Sequence, residues 1–94
     1  MSVLYESVEG IATVTIDRAD RMNALDPEVV DGLEASWKRF AESDDRVAVL
    51  HATGDRAFSV GADIKDPPGE LWRGVPSIGV DLHKPVIAAV HGWC

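Results

Sequence analysis

The pattern of apolar and polar positions divides the chain into a few elements. Residues 11–16 alternate and are rich in β-branched side chains. This predicts a strand with Ala12, Val14 and Ile16 on one face and Ile11, Thr13 and Thr15 on the other. Residues 3–7 read as a short strand before it, joined through Val8-Glu9-Gly10, where Gly10 can take positive φ. The two strands predict an antiparallel hairpin. Further on the period changes. Val29, Val30, Leu33, Trp37, Phe40 and Ala41 fall on one face of a helix. Asp26 supplies an N-cap, Pro27 the first helical position, and Glu28 an acidic first turn. Gly32, inside this helix, costs up to ~1 kcal/mol in propensity and marks close packing.

Two runs are almost wholly apolar, residues 47–52 and 86–90. Such runs predict strands buried on both faces, as in a parallel sheet. Between them, residues 57–65 read as a loop. Residues 66–81 hold three of the five prolines and three glycines, which predicts a loop or a broken helix. The order is hairpin, amphipathic helix, buried strand, irregular segment, buried strand. This is an α/β pattern with mainly parallel central pairing, read as one partial domain over residues 1–94.

Composition narrows the function classes. The 94 residues carry a net charge of −7, which argues against a nucleic-acid partner and against docking on an anionic membrane. No run approaches ~18 consecutive apolar residues, and the residues from Met1 to Glu6 lack the basic and apolar regions of a signal peptide. The single cysteine, Cys94, allows no internal disulfide. That suits a reducing compartment, and the expected location is cytoplasmic.

Ligands of open α/β sheets bind beyond the carboxyl ends of the strands. Val60-Gly61-Ala62-Asp63-Ile64 and His91-Gly92 occupy such positions. Gly61 and Ala62 leave their backbone N–H groups unshielded, and paired donors of this kind stabilise a developing oxyanion. A glycine turn that begins a helix, with Asp63 near its N-terminus, is the alternative. His51, His83 and His91 lack metal-ligand spacing, so no metal is expected. Asp63 and Asp66 are either paired carboxylates or solvated surface groups. Ser59 lies outside any Gly-x-Ser-x-Gly pattern, and no phosphate loop is present. Trp37 reads as core. Trp72 either packs its loop or covers a ligand. Cys94 has no visible activator.

Three segments occur in order: Arg21-Met22-Asn23-Ala24-Leu25, Ala57-Phe58-Ser59-Val60-Gly61-Ala62-Asp63-Ile64-Lys65, and Lys84-Pro85-Val86-Ile87-Ala88-Ala89-Val90-His91-Gly92. With the strand at 11–16 leading into Asp17-Arg18, they resemble the N-terminal part of the enoyl-CoA hydratase/isomerase (crotonase) family. The resemblance covers almost the whole chain. It implies a crotonase-like spiral of ββα units, of which this is an incomplete portion, assembled in the family as trimers or hexamers.

It also implies an acyl-CoA thioester substrate, with coenzyme A part of that substrate and no separate cofactor. The Ala62 N–H would be one of two oxyanion donors. Ala24, Ala62, Asp63, Ile64 and Lys65 would bind the substrate, and Arg21 or Lys65 would meet its phosphates. Ala19 stands where the family often has proline. The compact stretch from 66 to 83 would reshape the acyl pocket.

In the family, the second donor and the acid–base glutamates follow the segment matching His91-Gly92-Trp93-Cys94. Alone, the chain is therefore expected to lack the catalytic acid/base and to be inactive, with an exposed apolar edge at residues 86–90. The complete form would hydrate a 2-enoyl-CoA, or isomerise it, through an enolate. The alternative reading is a non-catalytic, truncated crotonase-like chain that pairs with another chain.

Overall fold

The computed structural model describes residues 2–76, 78–80 and 82–92. Met1, Asp81, Trp93 and Cys94, which entered the sequence reading, lie outside the described residues, as does Ser77.

The hairpin forms from β1 (Val3–Val8) and β2 (Ile11–Ile16), paired antiparallel from Val3 opposite Ile16 to Val8 opposite Ile11. Its two-residue turn places Glu9 at φ 52° and Gly10 at φ 82°. Two positive φ values match the right-handed twist of the flanking strands. β1 runs one residue further than the pattern indicates, because Val8 still pairs.

A 3-10 turn, Ala19–Arg21, follows β2 and ends at Met22 in the left-handed region. Helix α1 (Pro27–Glu42) starts where the sequence places it: the Asp26 side chain accepts the Val29 N–H at 2.9 Å, and Pro27 occupies the first turn. At the other end, the Lys84 ammonium donates to the carbonyls of Phe40 and Ser43 at 2.9 and 2.7 Å. Cations there offset the unpaired carbonyls of the last turn.

Strand β3 (Val47–Ala52) runs parallel to β2, and β4 (Val86–Ala88) runs parallel to β3, giving the order β1-β2-β3-β4. Ala12, Val14, Ile16, Ala48 and Ala52 face Val29, Leu33, Trp37 and Phe40 of α1 in one core. Small alanines on β3 let the helix approach, and Trp37 and Phe40 fill the space. Trp37 is fully buried, and its indole N–H donates to the Gly74 carbonyl at 2.8 Å. That bond pins the 3-10 turn Leu71–Gly74, the broken helix within the irregular segment, onto α1.

Two expectations are corrected. β3 is not buried on both faces, since Val47 and Val49 are only partly covered and His51 is exposed. β4 is neither five residues long nor buried: it spans three residues, and Ile87 and Val90 are 57% and 58% exposed. Among the described residues, α1 covers one face of the sheet and β4 pairs on one side only. An apolar run reports hydrophobicity and leaves open which faces are covered.

The close packing assigned to Gly32 is present. A Cβ there would lie 2.7 Å from the Val3 Cβ. That atom is fixed to the β1 backbone, so relief requires the strand to move. Gly32→Ala gains up to ~1 kcal/mol of helix propensity but overpacks the contact at a cost of ~1–3 kcal/mol. We expect net destabilisation, read as a lower urea midpoint. An unchanged or raised midpoint would show that β1 yields freely at Val3.

Candidate functional site

The loops leaving the carboxyl ends of β2 and β3 meet at one backbone bridge. Leu25 donates its N–H to the Gly61 carbonyl at 2.8 Å, and Asp63 donates to the Leu25 carbonyl at 2.9 Å. In this parallel bridge, Leu25 bonds the residues either side of Ala62, so the Ala62 N–H points away from it. Among the described residues that N–H donates to no protein acceptor. Gly61 makes the bend with φ 91°, a conformation costly for a residue with Cβ.

The bridge lines an open pocket of about 340 Å³, walled by Arg21, Ala24, Val60, Ala62, Asp63, Ile64 and Lys65. The structure thus brings together all five residues assigned to substrate binding: Ala24, Ala62, Asp63, Ile64 and Lys65. Arg21, named for phosphate contact, joins them. Ala24 is buried, and Ile64 is 92% exposed. An apolar side chain so exposed beside a pocket is available to a ligand. His91 is not in this pocket. Its ring packs edge-on against His51 and Phe58, with centroids 6.0 and 6.4 Å away. Among the described residues, no three His, Cys, Asp or Glu side chains gather as metal ligands.

No helix begins at Asp63; residues 61–70 form bends around the Leu25–Ala62 bridge. Nor does Asp63 pair with Asp66 as a second carboxylate. Its Oδ2 accepts from Arg18 Nη1 at 2.8 Å, and its Oδ1 accepts the N–H groups of Lys65 and Asp66 at 2.9 and 3.2 Å. The Arg18 hydrogen bond, then the Lys65 N–H, hold the Asp63 carboxyl below the usual range, against the opposing effect of burial. Asp63 therefore lines the pocket with its carboxylate already occupied.

Two residues with central places stand in the sequence reading only as parts of matching segments, with no role of their own. Arg18 links Asp63 to the Ala24 carbonyl at 3.0 Å and to Asp26 at 3.4 Å. Asn23 sits fully buried in the left-handed region at φ 56°. Its amide nitrogen donates to the carbonyls of Thr53 and Ala57 at 2.9 and 3.0 Å, and its Oδ1 accepts the Arg18 N–H at 2.8 Å. The available signal was asparagine's tolerance of positive φ within a short polar stretch. That signal suggests a turn and does not identify the distant carbonyls it binds.

With this geometry in place, the chain can be compared with known proteins. A family model described as enoyl-CoA hydratase/isomerase matches residues 6–94. (E)-benzylidenesuccinyl-CoA hydratase of Thauera aromatica is 38% identical over 103 residues, covering 99% of this chain and 40% of that protein. The crystal structure of an enoyl-CoA hydratase/isomerase from Mycobacterium paratuberculosis superposes with a TM-score of 0.80 at 30% identity, covering 98% of this chain and 41% of the other. That of carnitinyl-CoA hydratase from Mycobacterium avium gives 0.82 at 26% identity, covering 97% and 39%. The chain thus spans about two fifths of the length of these relatives.

The Asp63 environment sets a pH dependence. Its folded pKa lies below the unfolded value of ~3.9, so its contribution is fully present above pH ~4 and is lost as pH falls through the lowered value. Asp63→Asn should be less stable than the parent at neutral pH and should decline less steeply below pH ~4. Asp45 is lowered as well, chiefly by the Ser7 hydroxyl, so the slope shrinks without vanishing. Urea unfolding of both proteins at several pH values measures this. Parallel stability curves would rule out the contribution.

Proposed function

The chain belongs to the enoyl-CoA hydratase/isomerase family, with a portion of the crotonase fold, and from that premise we propose that its pocket holds the thioester end of an acyl-CoA. One observation carries the reading. A backbone N–H that has no protein partner among the described residues, that of Ala62, lies in a pocket wall shared with Ala24, Ile64 and Lys65.

In the proposed reaction of the whole protein, water adds to the β-carbon of a 2-enoyl thioester. The double-bond electrons move to the α-carbon and the thioester oxygen. Ala62 N–H donates to that oxygen as it gains charge, and the α-carbon then takes a proton. A fixed N–H dipole favours the enolate over the neutral thioester, because it interacts more strongly with the charged oxygen. Arg21 and Lys65 face the anionic phosphates of the coenzyme, a local basic pair on an acidic chain. No cofactor besides the substrate's own coenzyme A is invoked.

Asp63 is not assigned the role of acid or base, because Arg18 and two backbone N–H groups occupy its oxygens. A second, non-catalytic reading takes support from the uncovered side chains of Ile87 and Val90. It has this edge pair with another chain of the family. It predicts association without any acyl-CoA turnover.

Ala62→Pro tests the main reading. It removes the donor while sparing the bridge, whose hydrogen bonds use the Gly61 carbonyl and the Asp63 N–H. In the full-length protein, kcat for hydration of a 2-enoyl-CoA should fall by ~10²–10³, followed as loss of the conjugated-thioester absorbance. A folded variant with unchanged kcat would remove Ala62 from the site.

A further inference from the structure

Arg18 stands behind the pocket and contributes nothing to its wall. Yet its guanidinium holds three groups that border the bridge. Nη1 donates to the Ala24 carbonyl at 3.0 Å and to Asp63 Oδ2 at 2.8 Å, while Nη2 lies 3.4 Å from Asp26 Oδ2. Ala24 and Asp26 flank Leu25, and Asp63 follows Ala62. Leu25 and Ala62 are the bridged residues.

We propose that Arg18 is a positioning residue: by gripping both neighbours of Leu25 and the neighbour of Ala62, it fixes the bridge and aims the Ala62 N–H at the thioester carbonyl oxygen. The inference rests on the thioester reading above and adds a residue that never touches substrate.

Three features carry it. First, the backbone ties of this loop to residues 22–25 fall at Val60, Gly61 and the Asp63 N–H, and the Arg18–Asp63 bond adds a side-chain restraint on the residue next to Ala62. Second, the side chains of Arg18, Asp63 and Asp26 are only 17%, 12% and 11% exposed, so water competes poorly for these contacts. A planar fork meets a carbonyl and two carboxylates at once, which the point charge of lysine does not. Third, the other Asp63 oxygen holds the N–H groups of Lys65 and Asp66. Displacing Asp63 would therefore move the pocket wall at Lys65 as well.

The test separates aim from stability. In the full-length protein, kcat and KM for a 2-enoyl-CoA are measured alongside affinities for an acyl-CoA thioester and its thioether counterpart, which lacks the carbonyl oxygen. For Arg18→Met we expect kcat to drop ~10- to 100-fold, the cost of a misplaced group, with KM and thioether affinity little changed. The preference for thioester over thioether should fall with kcat. Arg18→Lys should behave more like Arg18→Met than like the parent. It carries the same measurement if the methionine variant does not fold.

A purely structural role would lower the unfolding midpoint and leave the thioester preference of the folded protein intact. That result overturns the inference. Ala62→Pro serves as the reference. If it abolishes the thioester preference while folded Arg18 variants keep it, only the positioning role fails. If Ala62→Pro itself leaves the preference intact, the thioester reading fails and the positioning role with it.

Discussion

The primary amide of Asn23 is the contact on which the site depends. It is fully buried, so each of its hydrogen-bonding groups needs a protein partner. Its nitrogen reaches the carbonyls of Thr53 and Ala57, and its oxygen takes the Arg18 N–H. The backbone adds to this: Asn23 N–H donates to the Arg18 carbonyl at 2.8 Å, and Ser59 Oγ donates to the Asn23 carbonyl at 2.8 Å. One side chain thus joins the loop after β2 to the loop after β3. Apolar burial adds to it on each side, through Leu25 and Phe58 packed against the core.

From that amide the order spreads outward in layers. The buried asparagine sets the path of residues 18–25. That path presents Leu25 to Gly61 and Asp63, and the bridge does not use the Ala62 N–H. The charges lie farther out, where Arg18 is shared between Asp63 and Asp26. Asp26 serves twice, capping α1 through Oδ1 and meeting Arg18 through Oδ2. The start of the helix and the edge of the pocket are therefore fixed by one carboxylate. The pocket inherits the rigidity of α1, which is itself seated on the sheet by Trp37 and Phe40.

The local grammar of the chain was legible where short-range chemistry decides the outcome. Glu9-Gly10 makes a hairpin turn, Asp26-Pro27 starts a helix, and alternation in Ile11–Ile16 gives the buried face. Gly32 announced its contact because a glycine inside a helix needs a reason. The extent of β4 and the burial of β3 were not legible, since burial depends on what lies across the sheet. The grouping of Ala24 with Ala62 to Lys65 came from resemblance to a family and not from spacing. Arg18 and Asn23 stand inside the segments that carry the resemblance but drew no role of their own, because a polar residue in a polar loop looks solvated. Their partners, Asp63 and Ala57, are 45 and 34 residues away, beyond the reach of any local pattern.

The Leu25–Ala62 bridge also bears on when the pocket can form. Joined directly in an unfolded chain, these residues would close a loop containing all of α1 and β3, with the entropy loss that a long loop imposes. Once β2 and β3 have paired as far as Ile16 opposite Ala52, most of that loss has been met. Only the short connections from Ile16 to Leu25 and from Ala52 to Ala62 remain to be ordered. The pocket is thus a late product of folding. On a ribosome it stays open until the residues around Asp63 have left the exit tunnel, long after the hairpin and helix are free to form.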